Sequence, residues 1–321
     1  MNAALPSVTV VIAARPDQAE IKAVTAGKQL DYPKEKLEII VARGKQPSVQ
    51  RNAAIRAARN DLIYFLDDDS VPPPDNLRRA ADVFTDAQVK MLGGPNLCPP
   101  EAPFLEHVFA LVQSSHLAFF SSAARYASLG ARRETSEKEL ILCNLLARKQ
   151  DLLELGGFNE ALYPNEENAL MDDLQKRGGK LIYDPQLIVY RRPRGTFRSF
   201  CKMLLNYGRG RAEQVRLHPT LRSAPNFAPP LFVLYLLATP FLGIFFGMIG
   251  IWPLLAYLLM VLLQAIVLSF RGGIAQSICA IPLIILVHVL YGVGFWRGLF
   301  TKLKTGQDRP KIDVVLQNIP L

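Results

Sequence analysis

Short apolar and polar blocks alternate through the first ninety residues, and unbroken apolar runs replace them after residue 222. Ser7–Ala14 (SVTVVIAA), Leu37–Ala42 (LEIIVA) and Asp61–Leu66 (DLIYFL) are short β-branched or aliphatic runs and read as strands. Between them, Asp17–Leu30 and the alanine-rich Val49–Asn60 carry helical spacing. Strands that alternate with helices predict parallel pairing with right-handed crossovers. In such sheets ligands bind beyond the carboxyl ends of the strands. Further on, Asp75 is placed to cap a helix over Asn76–Phe84, and Met91–Gly94 reads as another strand. Phe104–Tyr126 is amphipathic, with His107 and His116 as packing or surface residues. Leu140–Leu146, Lys180–Tyr183 and Leu187–Tyr190 are strand-like; Asp151–Leu155 and Glu166–Lys176 are helical.

The apolar runs change the picture most. Ser223–Phe270 holds no charged side chain in 48 residues, and Gly272–Trp296 holds none either. A helix needs about 20 apolar residues to cross the hydrocarbon core. Three membrane helices are therefore expected, near 229–249, 252–270 and 275–296, with Pro253 marking the first turn. No basic segment precedes the apolar Val8–Ala14 and no cleavage site follows it, so it reads as a strand rather than a leader. The four cysteines are far apart, which argues against a disulfide framework or a zinc site.

Charge is distributed in blocks. Residues 1–190 carry a net of −3, residues 191–222 a net of +8, and residues 223–321 a net of +4. The basic block abuts the first apolar run, where basic flanks favour the cytoplasmic side and attract anionic headgroups. Its position favours membrane lipid as partner and argues against nucleic acid. Three crossings would nevertheless put Arg297, Lys302, Lys304, Arg309 and Lys311 on the far side, against the same rule, so either the last segment, which contains Pro282 and His288, does not fully cross or the rule is broken here.

The candidate chemistry is acidic. YFLDDDS, Tyr64 to Ser70, runs an apolar strand straight into three carboxylates. Alternate side chains of a strand share a face, so Asp67 and Asp69 point one way and Asp68 the other. Two carboxylates on one face can hold Mg²⁺ or Mn²⁺, whose shell water and substrate phosphates complete. A diphosphate leaving group needs such help as charge builds on it. A solvated acidic cluster is the plainer alternative. A second pair, Glu166 and Glu167, begins a helix, where either could serve as a general base or simply complement the helix dipole.

Taken together these stretches resemble a family 2 glycosyltransferase. VTVVIAARPD is similar to that family's first strand and nucleotide-facing loop, and YPKEKLEIIVA to its second strand. RNAAIRAARNDLIYFLDDDS resembles the helix and strand that lead to its Asp-x-Asp motif. ARKQDLLELGGFNE and NEENALMDDLQKRGGKLIYDP resemble the stretch before the catalytic helix, that helix and the strand after it. The resemblance covers roughly residues 7–212 and is nearest to membrane-attached enzymes of bacterial exopolysaccharide synthesis. It implies an α/β fold of the GT-A type, a Rossmann-like mixed sheet with helices on both faces, followed by C-terminal transmembrane helices. The implied divisions are a catalytic domain over 1–195, a basic interface segment over 196–222, transmembrane helices over 223–298 and a tail over 299–321.

The implied activity is inverting transfer of a sugar from a nucleotide diphosphate to a hydroxyl, on a polyprenyl-diphosphate-linked or other glycan acceptor. Polyprenyl phosphate as acceptor and an inactive membrane scaffold are the alternatives. The resemblance assigns the divalent metal to Asp67 and Asp69 and the diphosphate side to Asp67 and Asp68. Glu167, with Glu166 as substitute, becomes the base. Ala14, Arg15, Arg51 and Asn52 fall beside the nucleotide, and Cys143 and Asn144 line the sugar or acceptor pocket. Two departures stand out. The second strand ends Ala42-Arg43-Gly44 where relatives carry aspartates. NYGRGR, Asn206 to Arg211, replaces the Gln-x-x-Arg-Trp of processive synthases, which implies addition of a single sugar. Arg209 and Arg211 in that stretch are candidates for binding a diphosphate. The implied setting is the bacterial cytoplasmic membrane, with the catalytic domain in the cytoplasm.

Overall fold

The structure, a computed structural model, describes residues 5–160, 165–217, 219, 221–303 and 313–321. Ala161–Pro164, between the stretch compared with the approach to the catalytic helix and the stretch compared with that helix, and Lys304, Arg309 and Lys311 of the basic tail lie outside the described residues. The chain divides into two compact units.

The first unit comprises residues 1–99, 124–191 and 304–321. Its centre is a mixed sheet of eight strands. These are β1 (Val8–Ala14), β2 (Leu37–Arg43), β3 (Leu62–Asp67), β4 (Val89–Gly93), β6 (Arg133–Thr135), β7 (Asn144–Arg148), β8 (Lys180–Tyr183) and β10 (Val315–Asn318). Their spatial order is β10-β2-β1-β3-β7-β4-β8-β6. β1 pairs in parallel with both β2 and β3, as the alternating pattern predicts, whereas β7 runs antiparallel to β3 and β4. β5 (Asn96–Leu97) and β9 (Val189–Tyr190) form a small separate pair. The helices of this unit are α1 (Lys22–Lys28), α2 (Pro47–Ala57), α3 (Asn76–Ala81), α6 (Lys149–Glu154) and α7 (Glu166–Lys176). Two apolar cores form, as expected for a sheet buried on both faces. One contains Val10, Ile12, Tyr64 and Leu66, the other Val11, Phe65, Phe158 and Met171.

Several expected elements change. The helix expected over Asp17–Leu30 shrinks to α1, because the Arg43 guanidinium takes the carbonyls of Arg15, Pro16 and Gln18 and holds them in a loop. Asp75 does not cap α3: its backbone is already helical and its side chain makes no capping bond. The strand expected over Leu140–Leu146 begins only at Asn144, whose amide closes a turn onto the Ile141 carbonyl.

The second unit comprises residues 100–123 and 192–303. It holds α4 (Phe104–Gln113), α5 (His116–Phe119), α8 (Phe197–Leu217), α9 (Ala228–Phe246), α10 (Met248–Gly272) and α11 (Ile274–Phe300). Its core joins Phe109 and Val112 to Phe200 and Leu204 and to Ile284 and Val287. Phe109 and Phe200 stack with centroids 4.3 Å apart. Three helices, Ala224–Phe246, Met248–Gly272 and Ile274–Phe300, are long and apolar enough to cross a membrane. The turn between the first two lies at Gly247, not at Pro253, because only Gly247 adopts the positive φ of +58° that reverses the chain.

Candidate active site

The carboxyl end of β3 delivers three acids into the first unit. The Arg51 guanidinium, from α2, reaches Asp67 Oδ1 at 3.0 Å. Arg191, immediately after β9, reaches Asp67 Oδ2 at 3.1 Å and Asp69 Oδ1 at 2.5 Å. Asp68 turns away and accepts from Gln18 Nε2 at 2.5 Å, while its carbonyl accepts from the Ala23 amide. Asp67 and Asp69 share one cation and Asp68 faces the loop after β1, but not by strand alternation: β3 ends at Asp67, and the next two acids sit in a turn that the Ser70 amide closes onto the Asp67 carbonyl.

Arg51 ties this strand end to α7. Its second nitrogen donates to Glu166 Oε1 at 3.3 Å, so one buried guanidinium spans Asp67 and Glu166. The Glu166 carboxyl is pushed up to about 8, first by burial and then by the neighbouring Glu167 charge, which Arg51 only partly offsets. Asn165, just before the helix, has a φ of +91°, a conformation that asparagine tolerates better than most residues. Asn165 Nδ2 and Glu166 Oε2 are buried with no hydrogen-bond partner among the described residues. Glu167 is half-buried and has no ion-pair partner among the described residues. Asn52, next to Arg51, accepts from the Phe158 amide and donates to the Phe158 carbonyl and to Glu160 Oε1. It fixes the loop that leads toward α7, at a point where Gly157 (φ +81°) has Asn52 Oδ1 against the space a Cβ would fill.

The other expected residues are placed as follows. Ala14 ends β1 buried, its carbonyl accepting from Gln50 Nε2 and the Gly44 amide. Arg15 is exposed in the loop that Arg43 holds. Asn144 is fully buried and its amide is engaged: Oδ1 accepts from the Tyr64 hydroxyl at 2.8 Å and Nδ2 donates to the Leu187 carbonyl at 2.5 Å. The Cys143 thiol is buried beside Arg191 and pushed up to about 12 by burial. Arg209 and Arg211 belong to the second unit, on α8. Arg209 pairs with Glu213 at 3.6 Å, and Arg211 donates to Gln214 Oε1 at 3.0 Å.

Sequence reasoning missed Arg191. Three adjacent acids demand cations, and Arg191 is a basic residue placed directly after a strand, which is the signal that was present. Burial opposes its charge, but Asp67, Cys143 and Asp69 outweigh burial and hold it well above the usual arginine range.

The donor set fits a hard divalent cation. Asp67 and Asp69 offer carboxylate oxygens on one side, already bridged by a cationic group, and Asp69 is partly open to solvent. Among the described residues no three His, Cys, Asp or Glu converge to hold a metal by themselves. The remaining ligands of such an ion would come from water and phosphate oxygens.

Comparisons with known proteins agree with this architecture. The model of the family described as "Glycosyltransferase like family 2" matches residues 1–204. Pre-mycofactocin glycosyltransferases from two strains of Mycobacterium tuberculosis are 24% identical over 192 residues, 56% of this chain. The match covers 37% of the length of those relatives. The solved structure of the mannosyltransferase PcManGT from Pyrobaculum calidifontis, in complex with GDP-Man and Mn²⁺, shares the fold at a TM-score of 0.53 and 15% identity. That match covers 92% of this chain and 88% of the other.

Proposed function

Because the chain belongs to the glycosyltransferase-like family 2, we propose that it moves a sugar, with inversion, from a nucleotide-diphosphate donor to an acceptor hydroxyl. The acceptor is a glycan carried on a polyprenyl diphosphate, and the setting is the cytoplasmic face of a bacterial inner membrane during cell-surface polysaccharide synthesis. The observation that carries the reading is Arg51, one guanidinium shared by Asp67 of the strand end and Glu166 of the helix. It joins the two acidic groups that the reaction needs within one constellation.

Glu167 is the base. The acceptor oxygen loses its proton to Glu167 and bonds to the anomeric carbon, while the bond from that carbon to the diphosphate breaks and the nucleotide leaves with the electron pair. Glu166, protonated near neutral pH, is a positioning residue that acts through Arg51. Asp67 and Asp69 would hold Mn²⁺ or Mg²⁺, which would supply charge neutralisation to a leaving diphosphate. Arg191 occupies their shared side as resident cation. Ala14 and Arg15 line the nucleotide, with Asp68 fixing their loop through Gln18. Cys143 and Asn144 shape the floor of the sugar pocket rather than contact the sugar, since the Asn144 amide is already engaged. Arg209 and Arg211 take phosphate, from headgroups or from the polyprenyl carrier. The three apolar helices and the basic segment before them support a lipid-linked acceptor.

The test is donor turnover by the purified full chain in lipid nanodiscs with Mn²⁺, across a panel of nucleotide sugars. Metal-dependent release of nucleoside diphosphate, lost in Asp69→Ala, is expected. No turnover of any donor by the native chain would favour an inactive scaffold. Retention of activity in Glu167→Gln would favour polyprenyl phosphate, whose acceptor oxygen is already anionic.

A further inference from the structure

Strands on both sides of the apolar helices in the sequence belong to one sheet. β10 follows α11, yet it pairs antiparallel with β2, Val315 opposite Arg43 through Asn318 opposite Ile40. Gln317 Oε1 accepts from Arg43 Nε at 2.8 Å, and the Ile319 amide donates to the Ile39 carbonyl at 3.0 Å. A sheet cannot be shared across a bilayer, so β2 and β10 lie on the same side. The segment between α11 and β10 carries Lys304, Asp308, Arg309 and Lys311 and is far shorter than the roughly 20 apolar residues a crossing needs. The end of α11 is therefore on the side of the sheet.

Its start is on that side as well. Arg271, in the last turn of α10, donates to the Ser114 carbonyl, and Gly272 lies against Leu111. Gln264 of α10 accepts from the Leu117 amide. These partners sit in residues 100–123, which leave the sheet unit and return to it, and whose longest helix has 10 residues, too short to cross.

α11 is also the most enclosed of the three apolar helices. It runs along α8 with the backbones in contact. A Cβ on Gly208 would lie 2.0 Å from the Tyr291 carbonyl oxygen, and one on Gly294 2.2 Å from that of Leu205. Arg216 Nη1 donates to the carbonyls of Gly298 and Thr301. α8 bears Arg198, Lys202, Arg209, Arg211, Glu213 and Arg216, which bars it from the hydrocarbon core.

We propose, resting on the membrane reading above, that α11 does not cross the bilayer. The α9–α10 hairpin alone enters the hydrocarbon and returns to the side it came from, and α11 lies with α8 at the interface on the side of the sheet. The occupant of the exposed α9–α10 surface is lipid. Arg271, Arg297 and Lys302 then join the basic block of residues 191–222 on one face, which removes the conflict with the positive-inside rule.

The test is cysteine labelling of the full chain expressed in a bacterial inner membrane, with the four native cysteines replaced. Ala275→Cys and Lys302→Cys report the two ends of α11, and Asp75→Cys reports the sheet unit. An impermeant maleimide is applied to right-side-out and to inverted vesicles. All three sites should label from the same face, at least tenfold more than from the other. Labelling of Ala275→Cys and Lys302→Cys from opposite faces would overturn the proposal. Should the cysteine-free chain fail to fold, fluorescent-protein and alkaline-phosphatase fusions at each terminus of the native chain give the same readout: both termini on one side support it, opposite sides refute it. Release of the chain from membranes by alkaline carbonate would refute the membrane reading itself, a separate outcome.

Discussion

The strand end of β3 and the hairpin of α9 and α10 meet their surroundings in opposite ways. At the strand end, charge is gathered and matched: two arginines and a glutamine contact Asp67, Asp68 and Asp69 at 3.1 Å or less. Tyr64 and Phe65, just before them, are fully buried. From Ala228 to Phe270 the hairpin carries no charge to match, yet Ile244 (77%), Phe245 (76%) and Ile249 (77%) stand exposed. Isolated exposed apolar residues are ordinary, but a continuous surface of them marks an interface. The first region solves its problem inside the protein; the second, on the proposed membrane reading, leaves it to lipid. The one is specified by individual atoms and the other by area, so they should respond to mutation differently.

The largest effects should come from the atom-specific side. Asp69→Ala should lower donor turnover by about 10³-fold or more, since metal stabilisation of a leaving group is worth several kcal/mol. Glu167→Gln should cost about 10²–10⁴-fold in transfer, the usual share of a general base. Both are read as nucleotide release in nanodiscs, with circular dichroism to confirm that the fold survives.

Next comes a charge where the comparison demands none. Leu263→Arg, on the exposed face of α10, should disfavour insertion by about 2.5–3.5 kcal/mol. That is roughly a hundredfold in partitioning, and the membrane fraction on flotation gradients reads it. An unchanged fraction would mean that this surface does not face hydrocarbon.

Arg191→Gln probes the matched side from within. With the resident cation gone, Mn²⁺ alone should bind about tenfold more tightly, some 1.4 kcal/mol, by paramagnetic titration without nucleotide. Equal affinity in both proteins would remove Arg191 from any competition with metal.

The smallest effect is expected at Glu166. Its carboxyl is raised from about 4.5 to about 8, so the protonated form is favoured by folding. The stability it contributes is complete below the ordinary value and is lost as pH rises through about 8. Glu166→Gln resembles the protonated acid. Turnover at pH 7 should change by less than about threefold, from the near-identity of Gln to a neutral carboxyl. The melting temperature of the native chain should fall between about pH 5 and 8, and that of the variant should fall less. Equal slopes would show that Glu166 is ionised in the native state.

Much of this molecule could be read from local pattern. The strands ending at Ala14, Arg43 and Asp67 and the helix over Glu166–Lys176 follow from period and β-branching, and the acidic run from a plain count of carboxylates. The apolar helices follow from two uncharged runs, Ser223–Phe270 and Gly272–Trp296. Asp75 and Pro253 misled because each satisfies a local rule, capping or helix breaking, that the backbone at Gly247 or the turn before α3 overrode.

The sequence by itself determined which residues could be strand, helix or membrane-facing surface, because those properties depend on neighbours a few positions apart. Only the tertiary structure decided which cations neutralise the acids, since Arg191 meets Asp69 across 122 positions and Arg51 meets Glu166 across 115. It also decided that Val315–Asn318 would close the edge of the sheet beside β2. Edge pairing uses backbone hydrogen bonds that nearly any residue can make, so nothing in the tail's own side chains announced its partner.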